Sequence, residues 1–425
     1  MKYFSILIMS LALLSCSQKT EQQITSASDY EHYLASKPAK TTSKYFELWN
    51  SKIKPDSIQL TSFSVVGGEY NRYFQQTGNI DYLKKSEQAL KKAVEIAAVG
   101  KPTLRRALAR NYISQHRFKE ALQLAQDSYV KSNGLKETQS LLFDVHMELG
   151  NYGTAKQYLD SIANDTDFGY LIRKAKWQDH QGYLEDTIVL MEQAKYKAQG
   201  MQNENLILWS YTNLADYYGH AGRLEDSYQH YLKALDIDPQ NAYAKKGIAW
   251  IVFSHEKNPE EAMRILDSVT KDYQAPDYYI LKAEIARYMG DDLAYAMNLD
   301  AYIKATANPN YGDMYNAYHV DLYLEETAQY PMALALAKKE VINRPTPESY
   351  GMLATAYLHL GDKEKALDLV QNHIADKTFE PAILYRAAEI YKANGLKNKV
   401  LALKKELSEA AYELGPILHH EITQL

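Results

Sequence analysis

The chain has one cysteine, Cys16, so no disulfide can staple the fold and no pair of thiolates can hold a metal. Its 19 glycines and 12 prolines are few for 425 residues, which argues against a β-rich fold with many tight turns and favours helices. Positive charge is not in excess. The 48 Lys and Arg face 53 Asp and Glu, a net of −5, which excludes a general nucleic-acid partner, whose phosphates need a basic surface. After Leu14 no apolar run approaches the ~18 residues that a membrane-spanning helix needs. Phenylalanine is scarce too, at 9 against 36 tyrosines. Tyrosine joins a large apolar body to a polar tip, so it suits gaps between half-buried helices and binding surfaces equally.

Chemical motifs are missing as well. The sequence holds no Walker-type glycine loop and no Gly-x-Gly-x-x-Gly, and His255-Glu256 is not followed by the second histidine of a zinc motif. His419-His420-Glu421 is a weak metal candidate, because adjacent side chains on a helix point apart. Acidic pairs such as Asp291-Asp292 fall at expected turns, where carboxylates cap the following helix. No nucleophile–base arrangement stands out, so the expectation is a chain that is not an enzyme and needs no cofactor and no metal.

What is present begins at the N-terminus. Met1-Lys2 precedes an apolar run from Tyr3 to Leu14, and residues 1–15 read as an export signal. The run Leu13-Leu14-Ser15-Cys16 resembles the lipobox of bacterial lipoproteins. That resemblance implies acylation of Cys16 by palmitate-type chains, enough buried CH₂ groups for a stable membrane anchor. Ser17 after the cysteine resembles lipoproteins sorted to an outer membrane, so the expected place is the bacterial cell envelope. Residues 16–28 are polar, rich in Gln, Ser and Thr, and are expected to form a flexible tether.

The rest repeats. The clearest copy runs from Leu208 to Asn241, with Tyr211, Leu214, Ala215 and Tyr218 on one helix face and a turn at Gly222-Arg223. Ser227, Tyr231 and Ala234 follow on a second helix, which Asp238-Pro239 closes. Two antiparallel helices approach closely only where small side chains meet, hence Ala215 opposite Ser227, with Leu214 and Tyr231 filling the adjacent space. The spacing returns at Ala354, Gly361 and Ala366, then at Ala388, Gly395 and Val400. It returns earlier at Ala109 and Ala121, at Phe143, Gly150 and Ala155, and at Ala175, Gly182 and Thr187. Near Ala249 the turn from Glu256 to Pro259 has no glycine and is about one residue too long for the repeat, and between Met314 and Thr346 the pattern weakens, with Asp321 at a small-residue position.

These residues and their 34-residue period resemble the tetratricopeptide repeat. The resemblance implies an all-α fold, a right-handed superhelical solenoid of about ten helix-turn-helix units over residues 61–414. Helices near 29–35 and 42–53, within residues 29–60, are expected to cap the N-terminal end of that array. Gly415-Pro416 is expected to end the last helix, leaving residues 415–425 as a tail, loose or packed over that end.

In tetratricopeptide arrays the first helices of successive units line a concave face where ligands bind. Carried over by position, the fifth to eighth units would present Trp209, Tyr243, Trp250, Phe253, Tyr288, Tyr315 and Tyr318 there. Asp216, His220, Lys246, Glu284 and Arg287 would lie among them. Aromatics beside scattered charges are the composition of binding hot spots. Trp250 and Phe253, three residues apart beside Ala249, suit either the groove or packing between units, whereas Trp209 near a helix start suits exposure. Arg106 and Arg110 in the second unit would suit an acidic partner, and Glu137, Asp144 and Glu148 in the third balance them. The expected function is a protein–protein interaction scaffold on the envelope, binding a protein or peptide, with capture of a glycan or other nutrient at the outer membrane as the alternative.

Overall fold

A computed structural model of the chain describes residues 23–35, 38–54, 56–129 and 134–425. The expected export signal, Cys16 and the first part of the expected tether lie outside the described residues. Among the described residues there is no strand, and no helix is long and apolar enough to cross a membrane.

Ten helix pairs follow one another from Leu60 to Glu409. Units 1 to 4 pair Leu60–Thr77 with Ile80–Ile96, Lys101–Ser114 with Phe118–Gln126, Leu135–Glu148 with Tyr152–Ser161, and Phe168–His180 with Leu184–Gly200. Units 5 to 7 pair Glu204–His220 with Leu224–Ile237, Ala242–His255 with Pro259–Thr270, and Asp277–Met289 with Asp292–Thr306. Units 8 to 10 pair Asn316–Glu326 with Tyr330–Asn343, Pro347–His359 with Lys363–His373, and Pro381–Ala393 with Lys397–Glu409. Each unit stacks on the next, so the array is an all-α superhelical solenoid. Ala215 and Ser227 are fully buried where the helices of unit 5 cross, as are Ala354 and Ala366 in unit 9.

Each pair turns on one residue with positive φ. Seven of these residues are glycines, from Gly78 (66°) to Gly395 (72°), and the other three are His116 (57°), Lys257 (55°) and Ala328 (51°). The left-handed conformation lets the chain reverse while satisfying the last carbonyls of the first helix. Units 6 and 8 carry an extra residue in the first helix, and both absorb it as a terminal π-helical turn, Ile251–His255 and Leu322–Glu326. That accounts for the slipped phase near Ala249 and Asp321. Asp321 is tolerated because the Arg386 guanidinium, 2.6 Å away, compensates it.

The two N-terminal helices part company, in contrast to the expected common cap. Lys44–Asn50 does pack on unit 1, where Phe46 meets Tyr70 and Tyr73 at ring separations of 5.2 and 5.4 Å. Ala27–Leu34 instead lies between the second helices of units 5 and 6, in the middle of the array. Residues of the expected flexible tether take part in this docking. The backbone N–H groups of Ile24 and Thr25 both donate to the Glu256 carboxylate, at 2.8 and 2.6 Å. Tyr30 donates to Glu261 at 2.6 Å and Tyr33 to Asp236 at 2.5 Å.

The C-terminal residues form no loose tail. Ala411–Thr423 is a helix broken at Gly415, whose φ of 76° and ψ of 169° are open to glycine alone. It buries Leu414 and Ile422, and it crosses to the first helices of units 5 and 6.

That crossing belongs to a wider pattern. The turn of unit 1 meets the linker before unit 7, where Gln274 N–H donates to Thr77 C=O at 2.7 Å. The turn of unit 3 meets the linker before unit 9, with Arg344 bonded to Glu148 at 3.0 Å. The turn of unit 4 meets Phe379 before unit 10, and unit 5 meets Tyr412 just after it. Each contact joins a unit to the linker six units on, so successive superhelical turns touch along a seam. A Cβ added at Gly78, Gly150 or Gly182 would lie 2.5, 2.6 or 2.8 Å from an atom of the opposite turn. These glycines therefore serve the seam as well as their own reversal.

Candidate functional site

Two of the cavities among the described residues bear on the expected groove. The larger, about 730 Å³, opens at the seam between units 3–5 and the segments 344–348, 377–384 and 406–413. Its charged groups are mostly acidic. Burial pushes the Glu380 carboxyl up to about 7, helped by Glu413, Asp179 and Glu348 and opposed by His220. Burial raises Asp179 as well. Burial works against charge on His220, but the 2.9 Å bond to Glu413, with the charges of Glu413, Asp216 and Glu380, outweighs it and holds the imidazolium to about 9. Glu148 is the exception: burial opposes its charge, yet Lys176 and Arg344 keep it ionised and below its ordinary range.

The smaller cavity, about 300 Å³, lies on the first helices of units 5 to 8 and is lined by Asp216, Tyr231, Tyr243, Lys246, Gly247, Trp250, Asp277, Ile280, Leu281, Glu284 and Tyr318. Gly247 makes room for one wall, because a Cβ there would lie 2.2 Å from Cζ of Tyr231. The Tyr231 ring can therefore cross the next helix and donate its hydroxyl to Asp216, which also accepts from Tyr243 at 2.6 Å. Burial still raises Asp216 above its ordinary range despite both bonds. Lys246 is committed to Asp277 at 2.9 Å. Trp250 Nε1 donates to the Tyr412 carbonyl at 3.1 Å, and Ser254 Oγ donates to the same oxygen at 2.6 Å. The C-terminal helix is thereby pinned to the wall of the cavity.

Six of the residues expected in the groove, Asp216, Tyr243, Lys246, Trp250, Glu284 and Tyr318, thus gather at one cavity. His220 lies on the larger cavity instead. Tyr315 stands just behind the smaller one, with its hydroxyl 3.4 Å from Asp277. Arg287 is turned to Glu326 at 3.1 Å. Phe253 is fully buried and is not presented to the groove. It packs between Trp250 and Tyr288 at ring separations of 5.8 and 5.3 Å, because the π turn rotates it into the core. Tyr288 is half-exposed beside it. Trp209 is 39% exposed, edge-on to Phe168, and away from both cavities. Arg106 is buried and donates to Thr138 and Thr103, so it is a strut rather than a surface for an acidic partner. Arg110 is solvent-exposed, within the field of Asp144 and Glu137.

Sequence reasoning does not find Asp179, Glu380, Glu413 and Arg344, which meet only across the seam. No local spacing marks contacts made six units apart. By its place in the repeat Tyr231 packs between helices, and only a glycine inside the facing helix, where it has a conformational cost, hints at its further reach through Gly247. Among the described residues no group of three or more His, Cys, Asp or Glu is placed to hold a metal ion.

Two stretches match family models described as tetratricopeptide repeat, residues 220–285 and 347–369. A curated relative, cellulose synthase operon protein C of Pseudomonas fluorescens (strain SBW25), is 26% identical over 205 residues. The match takes in 46% of this chain and 16% of that protein, so the chain spans only a small part of its relative's length. Among solved structures, a human IFIT1 dimer with PPP-AAAA aligns at a TM-score of 0.43 and 12% identity, over 89% of this chain and 96% of that one. A signal transduction ATPase with a tetratricopeptide repeat sensor from Pyrococcus horikoshii aligns at 0.41 and 16%, over 90% and 56%. Repeat spacing, paired helices and the two matched stretches agree: the chain carries tetratricopeptide repeats, wound as a helical solenoid.

Proposed function

We propose that the chain is a non-catalytic scaffold that holds a segment of a protein partner against the inner face of its superhelix. We propose further that lipid on Cys16 carries it on the bacterial envelope, at the outer membrane. One observation carries the binding reading: six aromatic and charged side chains from four successive units converge on a single cavity beside the seam. Such convergence of Trp, Tyr and charge is how interfaces concentrate binding energy. Helix pairs fill the chain from Leu60 to Glu409, which supports a scaffold over a housed catalytic domain.

Crosslinking in intact cells, followed by capture and mass spectrometry, tests the reading. A partner should be captured by the wild type and by Trp209→Ala, and lost in a Trp250→Ala/Tyr318→Ala variant that keeps its helical signal. Equal capture by all three would remove this cavity from consideration. Labelling with an alkyne fatty acid, absent in Cys16→Ser, tests the anchor separately. A second reading, glycan or nutrient capture at the outer membrane, draws on the aromatic lining and on the relative's name. Retention on immobilised cellulose, with no captured protein, would favour it.

A further inference from the structure

The charges around the smaller cavity do not balance. Asp216, Asp277 and Glu284 face one lysine, Lys246, which is already bonded to Asp277. Asp216 is held by two tyrosine hydroxyls. Arg287, three residues along the helix from Glu284, is drawn off to Glu326. Glu284 alone has neither hydrogen bond nor ion pair among the described residues. It is also fixed in place. Gly415 of the C-terminal helix lies so close that a Cβ there would be 3.3 Å from Glu284 Oε1 and 2.8 Å from Cη2 of Trp250. The carboxylate therefore stands beside the indole, in a cavity whose other walls include Tyr243 and Tyr318.

A half-buried carboxylate with no partner is costly, and a cation restores the balance. Aromatic rings add to this, because their electron-rich faces attract ammonium groups while their bodies cover an alkyl chain. An anion would meet uncompensated carboxylates. We propose that this cavity is a binding site for an alkyl ammonium group, such as a lysine side chain supplies, with Glu284 as its counter-charge. The proposal rests on the scaffold reading for the source of that lysine, a segment of the partner.

The same geometry sets a pH dependence. Burial pushes Glu284 up to about 7, Arg287 opposing and Glu325 assisting, with Asp216, Lys246 and Asp277 also facing the cavity. An ammonium ion prefers the ionised carboxylate, so binding strengthens from pH 5.5 to pH 8 and releases a proton at the lower end.

The test titrates the full chain with n-butylammonium, n-butanol and glucose, following tryptophan fluorescence and heat. At pH 8 n-butylammonium should bind at least ten-fold more tightly than n-butanol. Glu284→Gln should abolish that preference while raising the melting temperature, because it removes an unpaired, partly buried charge. Equal binding of the two probes, a preference unchanged in Glu284→Gln, or glucose as the tightest ligand would each overturn the proposal. A lysine peptide that competes with n-butylammonium, where its Nε-acetylated form does not, supports the polypeptide source. If n-butylammonium binds as expected but cells yield no protein partner, the scaffold reading fails and the ammonium site stands. If a partner is captured but n-butylammonium does not bind, the ammonium site fails and the scaffold reading stands.

Discussion

Gly247→Ala should destabilise the chain, although alanine is the better helix former. On intrinsic propensity the change gains about 1 kcal/mol in a helix interior. At this position, however, the new methyl would sit 2.2 Å from Cζ of Tyr231, a ring only 4% exposed. Forcing atoms into a packed site costs about 1–3 kcal/mol. If the ring swings away, its bond to the Asp216 carboxylate goes too, at about 1.5–3 kcal/mol. The net expectation is a loss of about 2–4 kcal/mol. Gly68→Ala is the matched control: it is also inside a helix, but nothing lies within 4 Å of its new methyl, so it should stabilise by about 0.5–1 kcal/mol. Denaturant titration followed by circular dichroism would read both, with hydrogen exchange across residues 231–247 to localise the first. In a Tyr231→Leu background the penalty of Gly247→Ala should shrink. A neutral or stabilising Gly247→Ala, or an equal penalty in both backgrounds, would refute the argument.

Ala328→Gly should stabilise by about 0.5–1 kcal/mol, since φ of 51° is strained for alanine and free for glycine; a lower melting temperature would contradict this. Gly150→Ala should cost more than Gly361→Ala, because both carry positive φ but only the first meets the opposite turn, 2.6 Å from Pro345 O. Equal costs in thermal melts would mean the seam adds nothing. The seam should also loosen as pH rises. Glu380 at about 7 and His220 at about 9 both lie above their ordinary values, so their contributions are full below about pH 4.5 and 6.5 and fade through 7 and 9. Hydrogen exchange in residues 411–423 should therefore quicken between pH 5 and pH 9 by more than its intrinsic pH dependence, with the lower step absent in Glu380→Gln.

The units themselves are legible in the sequence because their signals are local. Ala215, Ser227 and Gly222 lie within one unit and state where two helices cross and turn. The reversals at His116, Lys257 and Ala328 carry no such signal, because stacking on both sides holds a conformation that those residues would not choose alone. Helical phase leaves Phe253 open to either the groove or the packing between units, and a π turn puts it in the core. Gly415-Pro416 looks like a stop, yet it is a kink through which the helix resumes, and Tyr412 just before it is bonded to Trp250. The inner face near Tyr243 and Glu284 follows from repeat phase. The seam does not, because winding by six units is set by small angles accumulated over many helices, which no single stretch of sequence displays.

The docking of Ala27–Leu34 fixes more than a helix. On the proposed lipidation of Cys16, only residues 17–23 separate the acylated residue from Ile24, which Glu256 holds. Fully extended, that stretch reaches no more than about 28 Å. The solenoid would then ride on the bilayer like a cradle slung from its middle, its outer surface at units 5 and 6 kept close to the lipid headgroups. The cavity on the first helices would open away from the membrane, toward whatever approaches from the aqueous side.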